Sequence, residues 1–299
     1  MNSFLCIDVG GSEIKTLIMH ESDPFEPKEM KQWPAKSDAS KEEIFLNFSN
    51  ILNYYTSPNY TISGIGMAFP GPFDYTNGIS LISNISKYDS IYGYKIEDEI
   101  KAINTNWIND CEFIFLHDIA AFALGCCALN SLLLDKKVMY LCIGTGAGSA
   151  FTENGRLIEH GKCIPENGWI YNTKFKDSII DDYISTRGLA ALSQKYLGQV
   201  FNGYQLQIMA EDDNASALAI FNEFGRNLYE SIHTFLEECE IDHLVLGGQI
   251  SKGFEYFSAD LTEYCDKKGI SIECIFDTST VICTGVYSSF LHRRKYGTR

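Results

Sequence analysis

Three glycine-rich turns, each directly after an apolar run of strand length, constrain this chain most. They are Gly10-Gly11-Ser12 after Phe4–Val9, Gly144-Thr145-Gly146-Ala147-Gly148 after Val138–Ile143, and Gly247-Gly248 after His243–Leu246. Glycine permits left-handed backbone angles and close approach of a ligand, and successive amides in such a turn can face an anion. Each turn alone also reads as an ordinary hairpin or loop. Their recurrence at strand ends predicts an α/β fold of two similar domains with a nucleotide cleft between them. The P-loop pattern is absent. Gly144-x-Gly146-x-Gly148 leads back into a strand, Ser149–Thr152, so the dinucleotide fingerprint is not met either.

The stretch 113–125 joins a second kind of feature to the first. Phe113–Leu116 reads as a buried strand and Ile119–Leu134 as an apolar helix, with Asp118 at the junction. A carboxylate there can cap the helix by accepting its first amide hydrogens. It can also act as a general base, because the carboxyl ends of strands are where α/β proteins place reactive groups. The junction alone favours the cap; the glycine turns around it shift the balance to the base.

The rest of the chain supplies the frame. Ser40 and Glu43 form a capping box for a helix through about Tyr55, followed by a strand at Ile62–Phe69. Pro70-Gly71-Pro72-Phe73-Asp74 forces a turn, and Gly78 to Asn84 reads as extended. Residues 156–187 are irregular and carry Glu166, Asp181 and Asp182 with Trp169 near Glu166, a set suited either to a polyol or to a solvated loop. Asn214 opens an amphipathic helix through Glu238 whose stripe of Leu218, Phe221, Leu228, Ile232 and Phe235 faces a core. A strand at Ile272–Phe276 and a terminal helix at Thr284–Arg294 complete the pattern.

Net charge excludes some partners. At −15, with a pI near 4.8, the chain repels nucleic-acid phosphates and offers an anionic membrane no basic patch. The first residues show neither a positive n-region nor an apolar core of signal-peptide length, and no apolar stretch spans a membrane, which predicts a cytoplasmic protein. Ten cysteines without a Cys-x-x-Cys pair fit reduced thiols better than disulfides or a metal site.

Taken in order, these motifs resemble the ROK family of sugar kinases, within the actin-like, hexokinase-like ATPase fold. The matching residues are Asp8-Val9-Gly10-Gly11-Ser12 to Lys15, Pro70–Asp74 with Gly78 and Asn84, His117-Asp118 to Gly125, Gly144–Gly148, and Gly247-Gly248 to Ser251. The resemblance implies an ATP- and Mg²⁺-dependent transfer of a phosphoryl group to a sugar hydroxyl. It casts Asp118 as the base, Asp8 as the group that positions Mg²⁺ and phosphate, and Gly10, Gly11, Ser12, Lys15, Gly144, Thr145 and Gly146 as phosphate contacts. Gly247 and Gly248 would border the adenosine. Pro70, Gly71, Asn84, His117, Glu166, Trp169 and Asp181 would surround the sugar.

The departures fall on the sugar side. His117 stands where the family commonly has Asn, Ala120 replaces a further Asn, and Trp169 replaces the His of Glu-x-Gly-His. The family's zinc-binding cysteine cluster is absent from the sequence, so no structural zinc is expected. The expected substrate is a hexose, an N-acylhexosamine such as N-acetylmannosamine, or a β-glucoside, phosphorylated on its 6-OH. A sugar-binding sensor without turnover is the alternative, although the chain begins at the first strand without a DNA-binding helix-turn-helix. An ATP-hydrolysing chaperone or cytoskeletal protein of the same superfold ranks third. The family also implies a homodimer. The expected domains are 1–116 plus 285–299, and 117–284.

Overall fold

The computed structural model describes residues 2–22, 30–56, 61–83, 87–104 and 108–296. The chain divides into two compact units, 1–129 with 279–299, and 130–278.

The first unit is built on a mixed five-stranded sheet. Strands β1 (Asn2–Val9), β2 (Glu13–His20) and β3 (Lys31–Pro34) form an antiparallel meander, and β4 (Thr61–Phe69) and β5 (Glu112–His117) join the other side of β1 in parallel. The central strand β1 has neighbours on both edges and is covered on both faces. Its Phe4, Leu5, Cys6, Ile7 and Val9 are therefore all buried, as a near-continuous apolar run requires. Between the strands, α1 (Lys41–Tyr54) starts at the expected capping box and buries Ile44, Phe45, Phe48, Ile51 and Leu52 in the same core as Ile7, Val9 and Met67. A shorter helix, α2 (Ile96–Ile103), adds Ile96 and Ile100.

Two further helices, α3 (Asp118–Leu129) and α7 (Thr278–Tyr296), complete this unit. Their backbones touch at glycines. A Cβ on Gly125 would lie 1.9 Å from the Val281 carbonyl oxygen, and one on Gly285 would lie 1.8 Å from that of Ala121. The sheet is also notched for α7. Gly64 and Gly66 leave room for Phe290 and Val286, which a Cβ would meet at 2.7 and 2.2 Å. This crossing keeps α3 in the first unit, so the division falls at Asn130 rather than 117, and at Ser279 rather than 285. The Asn130 side chain accepts from the Leu132 amide and caps a separate 3₁₀ turn, which is why the helix stops before Leu134.

The second unit repeats the meander-plus-parallel scheme. Strands β6 (Lys137–Ile143), β7 (Ala147–Glu153) and β8 (Arg156–Leu157) run antiparallel, and β9 (His243–Gly247) and β10 (Ser271–Cys274) extend β6 in parallel. Asn154 and Gly155, both at positive φ, make the expected hairpin turn. The helices α4 (Thr186–Leu197), α5 (Ala215–Glu238) and α6 (Ala259–Lys268) cover the sheet. In α5, Asn214 caps the Ser216 and Ala217 amides, and Phe221, Leu228 and Ile232 enter the core with Met139, Leu141 and Leu246. The ten cysteines are free thiols. Among the described residues no helix is long and apolar enough to cross a membrane, and no group of three or more His, Cys, Asp or Glu is placed to hold a metal ion.

Candidate functional site

In the first unit the strand register lines up most of the residues singled out by sequence. Asp8 is the penultimate residue of β1, Phe69 ends β4 just before Pro70, and His117 ends β5 just before Asp118; Asp8 is level with Ala68, and Phe69 with His117. The carboxyl ends of three parallel strands thus form one row, the usual seat of chemistry in α/β sheets. Asn84 lies outside the described residues.

Asp118 is the first residue of α3, and its Oδ1 accepts from the Ile119 amide at 2.7 Å. The carboxylate that accepts the first amide hydrogen of α3 is therefore also the one that stands at the strand end. His117 Nδ1 lies 2.9 Å from that oxygen, and the Asp118 side chain remains 42% exposed. Burial pushes the Asp118 carboxyl up, but His117, through its charge and hydrogen bond, and the Ile119 amide outweigh it, leaving it below its ordinary value. The His117 ring is held edge-on against Tyr75 (5.7 Å between centroids), whose hydroxyl donates to the Phe69 carbonyl. Gly71 leaves the space that both rings use: a Cβ there would lie 3.3 Å from the Tyr75 hydroxyl and 3.4 Å from His117 Nε2.

Asp8 behaves differently. Its Oδ2 accepts from the Ser279 hydroxyl at 2.7 Å, and Lys15, its cross-strand partner, donates to the same hydroxyl oxygen at 3.1 Å. Burial pushes the Asp8 carboxyl up to about 6; the Ser279 hydrogen bond and the Lys15 charge oppose this, and the Asp118 charge adds to it. A hard carboxylate oxygen held reluctantly ionised fits a divalent cation, directly or through water. Ser279 escaped the sequence reading because nothing in the polar run 277–280 marks one hydroxyl over another.

The Gly10–Ser12 turn is clamped through its carbonyls. The Tyr88 hydroxyl donates to Gly10, the Ser37 hydroxyl to Gly11, and the Ala35 amide to Ser12.

In the second unit the other two glycine turns meet. Gly248, at φ +89°, packs on the end of β6, where a Cβ would lie 2.3 Å from the Ile143 oxygen. Its carbonyl accepts from the buried Ser251 hydroxyl. Gly144 faces open space, with nothing within 4 Å of where its Cβ would stand. The turn is fastened by the Thr186 amide, which donates to the Gly144 oxygen, and by Asp181 Oδ1, which accepts from the Ala147 amide at 2.6 Å.

Asp181 is also ion-paired to Arg187, whose Nε donates to Asp182. Its carboxylate is thus committed to shaping the turn, a partner set that the sequence reading, which placed it beside the sugar, did not foresee. Glu166 and Trp169 lie on the segment 165–172, which is tied to β7 by Ser149 bonds to the Gly168 oxygen and the Ile170 amide. Together with Pro165, Asn167, Tyr171 and Asn172 they line a pocket of about 310 Å³. Trp169 and Tyr171 lie 6.2 Å apart along one wall.

No curated protein matches the chain. Solved structures do, at low identity and nearly full length. The ROK hexokinase of Thermus thermophilus superposes with a TM-score of 0.77 at 13% identity, covering 98% of this chain and 99% of its own. A ROK glucokinase of Streptomyces griseus, in complex with glucose and AMPPNP, gives 0.72 at 12% identity, covering 95% and 98%. A ROK transcriptional regulator, a homologue of the E. coli MLC protein, gives 0.77 at 12% identity, covering 98% of this chain and 80% of its own. These neighbours establish the hexokinase-like, actin-like ATPase fold. The family profile described as the ROK family matches residues 4–278, and the chain belongs to the ROK family.

Proposed function

We propose that this protein is an ATP-dependent sugar kinase that transfers the γ-phosphoryl group to the 6-OH of a hexose, with Asp118 as general base. The observation that carries the reading is the Asp118 carboxylate itself. It is ionised, partly open and fixed at the end of a parallel strand by His117 and the Ile119 amide. Such a carboxylate accepts the proton of an attacking hydroxyl. The neighbouring ROK glucokinase that binds glucose and AMPPNP supports the substrate classes.

Mg-ATP supplies the phosphoryl group. Asp8 orients the cation, and Lys15 and the Gly10–Ser12 turn set the phosphate position. In the second unit the Gly144–Gly146 turn, with its open Cα at Gly144, suits phosphate oxygens, and Gly247-Gly248 suits the adenosine edge. Positioning and charge stabilisation dominate phosphoryl transfer, and these residues supply both. The aromatic wall of Trp169 and Tyr171 beside Glu166 supports a hexose that carries a substituent, an N-acylhexosamine or a β-glucoside.

The test is ADP release with Mg-ATP across glucose, mannose, fructose, N-acetylmannosamine, N-acetylglucosamine and cellobiose. Asp118→Asn runs in parallel. Sugar-dependent release that falls by about 10²–10⁴-fold in the variant supports the reading. Sugar binding without ADP release from any of them overturns it in favour of a sensor, the role that the neighbouring ROK regulator makes the second reading.

A further inference from the structure

A lysine outside the motifs lies on the first glycine turn. The end of the Lys87 side chain crosses Gly11: a Cβ there would lie 2.5 Å from Cδ, 2.7 Å from Nζ and 2.8 Å from Cε. Lys87 is held at its base by Tyr88, which is fully buried in a left-handed conformation (φ +58°). The Tyr88 amide donates to the Ser37 carbonyl and its hydroxyl to the Gly10 carbonyl. Segments 10–12, 35–37 and 87–88 are thus one hydrogen-bonded cluster.

Within that cluster the charges are unevenly satisfied. The carbonyls of Gly10, Gly11 and Ser12 all have donors, whereas the amides of Gly11 and Ser12 have no acceptor among the described residues. Asp8, the acid that precedes the turn, is engaged by Ser279. Lys87 forms no ion pair or hydrogen bond with any described residue, although the chain carries 39 acidic side chains against 24 Lys and Arg. Two amides without acceptors and an unpaired ammonium on a flexible stem, set over a Cα without a side chain, form an anion-binding arrangement.

We propose that Lys87 is a phosphoryl-binding residue, which with the Gly11 and Ser12 amides takes one phosphoryl group of the nucleotide's polyphosphate chain. The identity of that chain rests on the kinase reading; the anion site itself does not. A compact ammonium serves here as a point charge that can follow the phosphate during transfer.

The test measures binding of tripolyphosphate to the full-length protein by calorimetry and, separately, kcat and KM for ATP. Wild type, Lys87→Met and Lys87→Arg are compared. The expected result is tripolyphosphate affinity about tenfold weaker in Lys87→Met and largely restored in Lys87→Arg, with unchanged thermal unfolding. KM for ATP should rise by a similar factor. Equal tripolyphosphate affinity in wild type and Lys87→Met, or no binding to wild type, overturns the proposal. Lys87-dependent tripolyphosphate binding in a protein that phosphorylates no sugar upholds the anion site while rejecting the kinase reading.

Discussion

Two carboxylates on one row of strand ends have been driven in opposite directions. Asp118 lies below its ordinary value, Asp8 at about 6. Asp118 is therefore ionised first, and the acid limb of a kcat/KM profile should belong to Asp8, with an apparent pKa near 6 that moves lower as Mg²⁺ is raised. A pH–rate profile at two Mg²⁺ concentrations checks this. The same shift bears on stability. The fold favours protonated Asp8, so the stability tied to that proton is fully present below the ordinary value of 3.8 and is lost as the pH rises through about 6. Asp8→Asn should therefore raise Tm at pH 8, by the equivalent of about 3 kcal/mol at most, and the gain should shrink toward pH 5. Thermal melts at both pH values read it directly. Ser279→Ala removes the hydrogen bond that holds Asp8 ionised, so it should move the acid limb upward.

At the scale of elements, the crossing of α3 and α7 is the tightest joint in the first unit. Ala121 and Val281 present carbonyls where a methyl group cannot fit. Gly125→Ala or Gly285→Ala must push the helices apart, at a cost of about 3 kcal/mol or more. Lower Tm and poor soluble yield in both variants are expected, against little change in Tm for Gly144→Ala, whose added Cβ would meet nothing within 4 Å.

Elements of this kind also mark where sequence reasoning works. The strands β1, β6 and β9 and their turns were legible because a buried strand needs an unbroken apolar run and its exit needs glycine. The capping residues Ser40 and Asn214 were legible because capping is local. The start of α7 was not: Thr278-Ser279-Thr280-Val281 is hydroxylated and β-branched, a poor helix former by propensity, and is helical because it packs on α3. Lys87, Arg187 and Ser279 were invisible for a related reason. Each matters through a partner 6 to 271 residues away, and no local pattern announces it.

At the scale of the molecule, the described residues include a large hydrophobic core cluster in each unit. The core of 130–278 is drawn from one continuous segment, whereas the first unit needs α7 from the far end of the chain. A fragment 130–278 should fold alone, with a far-UV spectrum of mixed helix and strand and a cooperative melt. A fragment 1–129 should not, because Phe4, Gly64 and Gly66 lose the Phe290 and Val286 side chains that cover them. Circular dichroism of the two fragments separates these outcomes.

The bond between Ser279 and Asp8 joins the last helix to the first strand. A ribosome releases the N-terminal strands first, completes 130–278 next, and only then delivers the residues that close the site of the first unit. The Asp8 carboxylate therefore waits for nearly the whole chain to be translated before it gains its partner. A nascent chain cut short between residues 249 and 278 carries all three glycine turns and the Asp118 junction, yet has no Ser279 to donate to Asp8. Termination in that window should therefore yield inert protein.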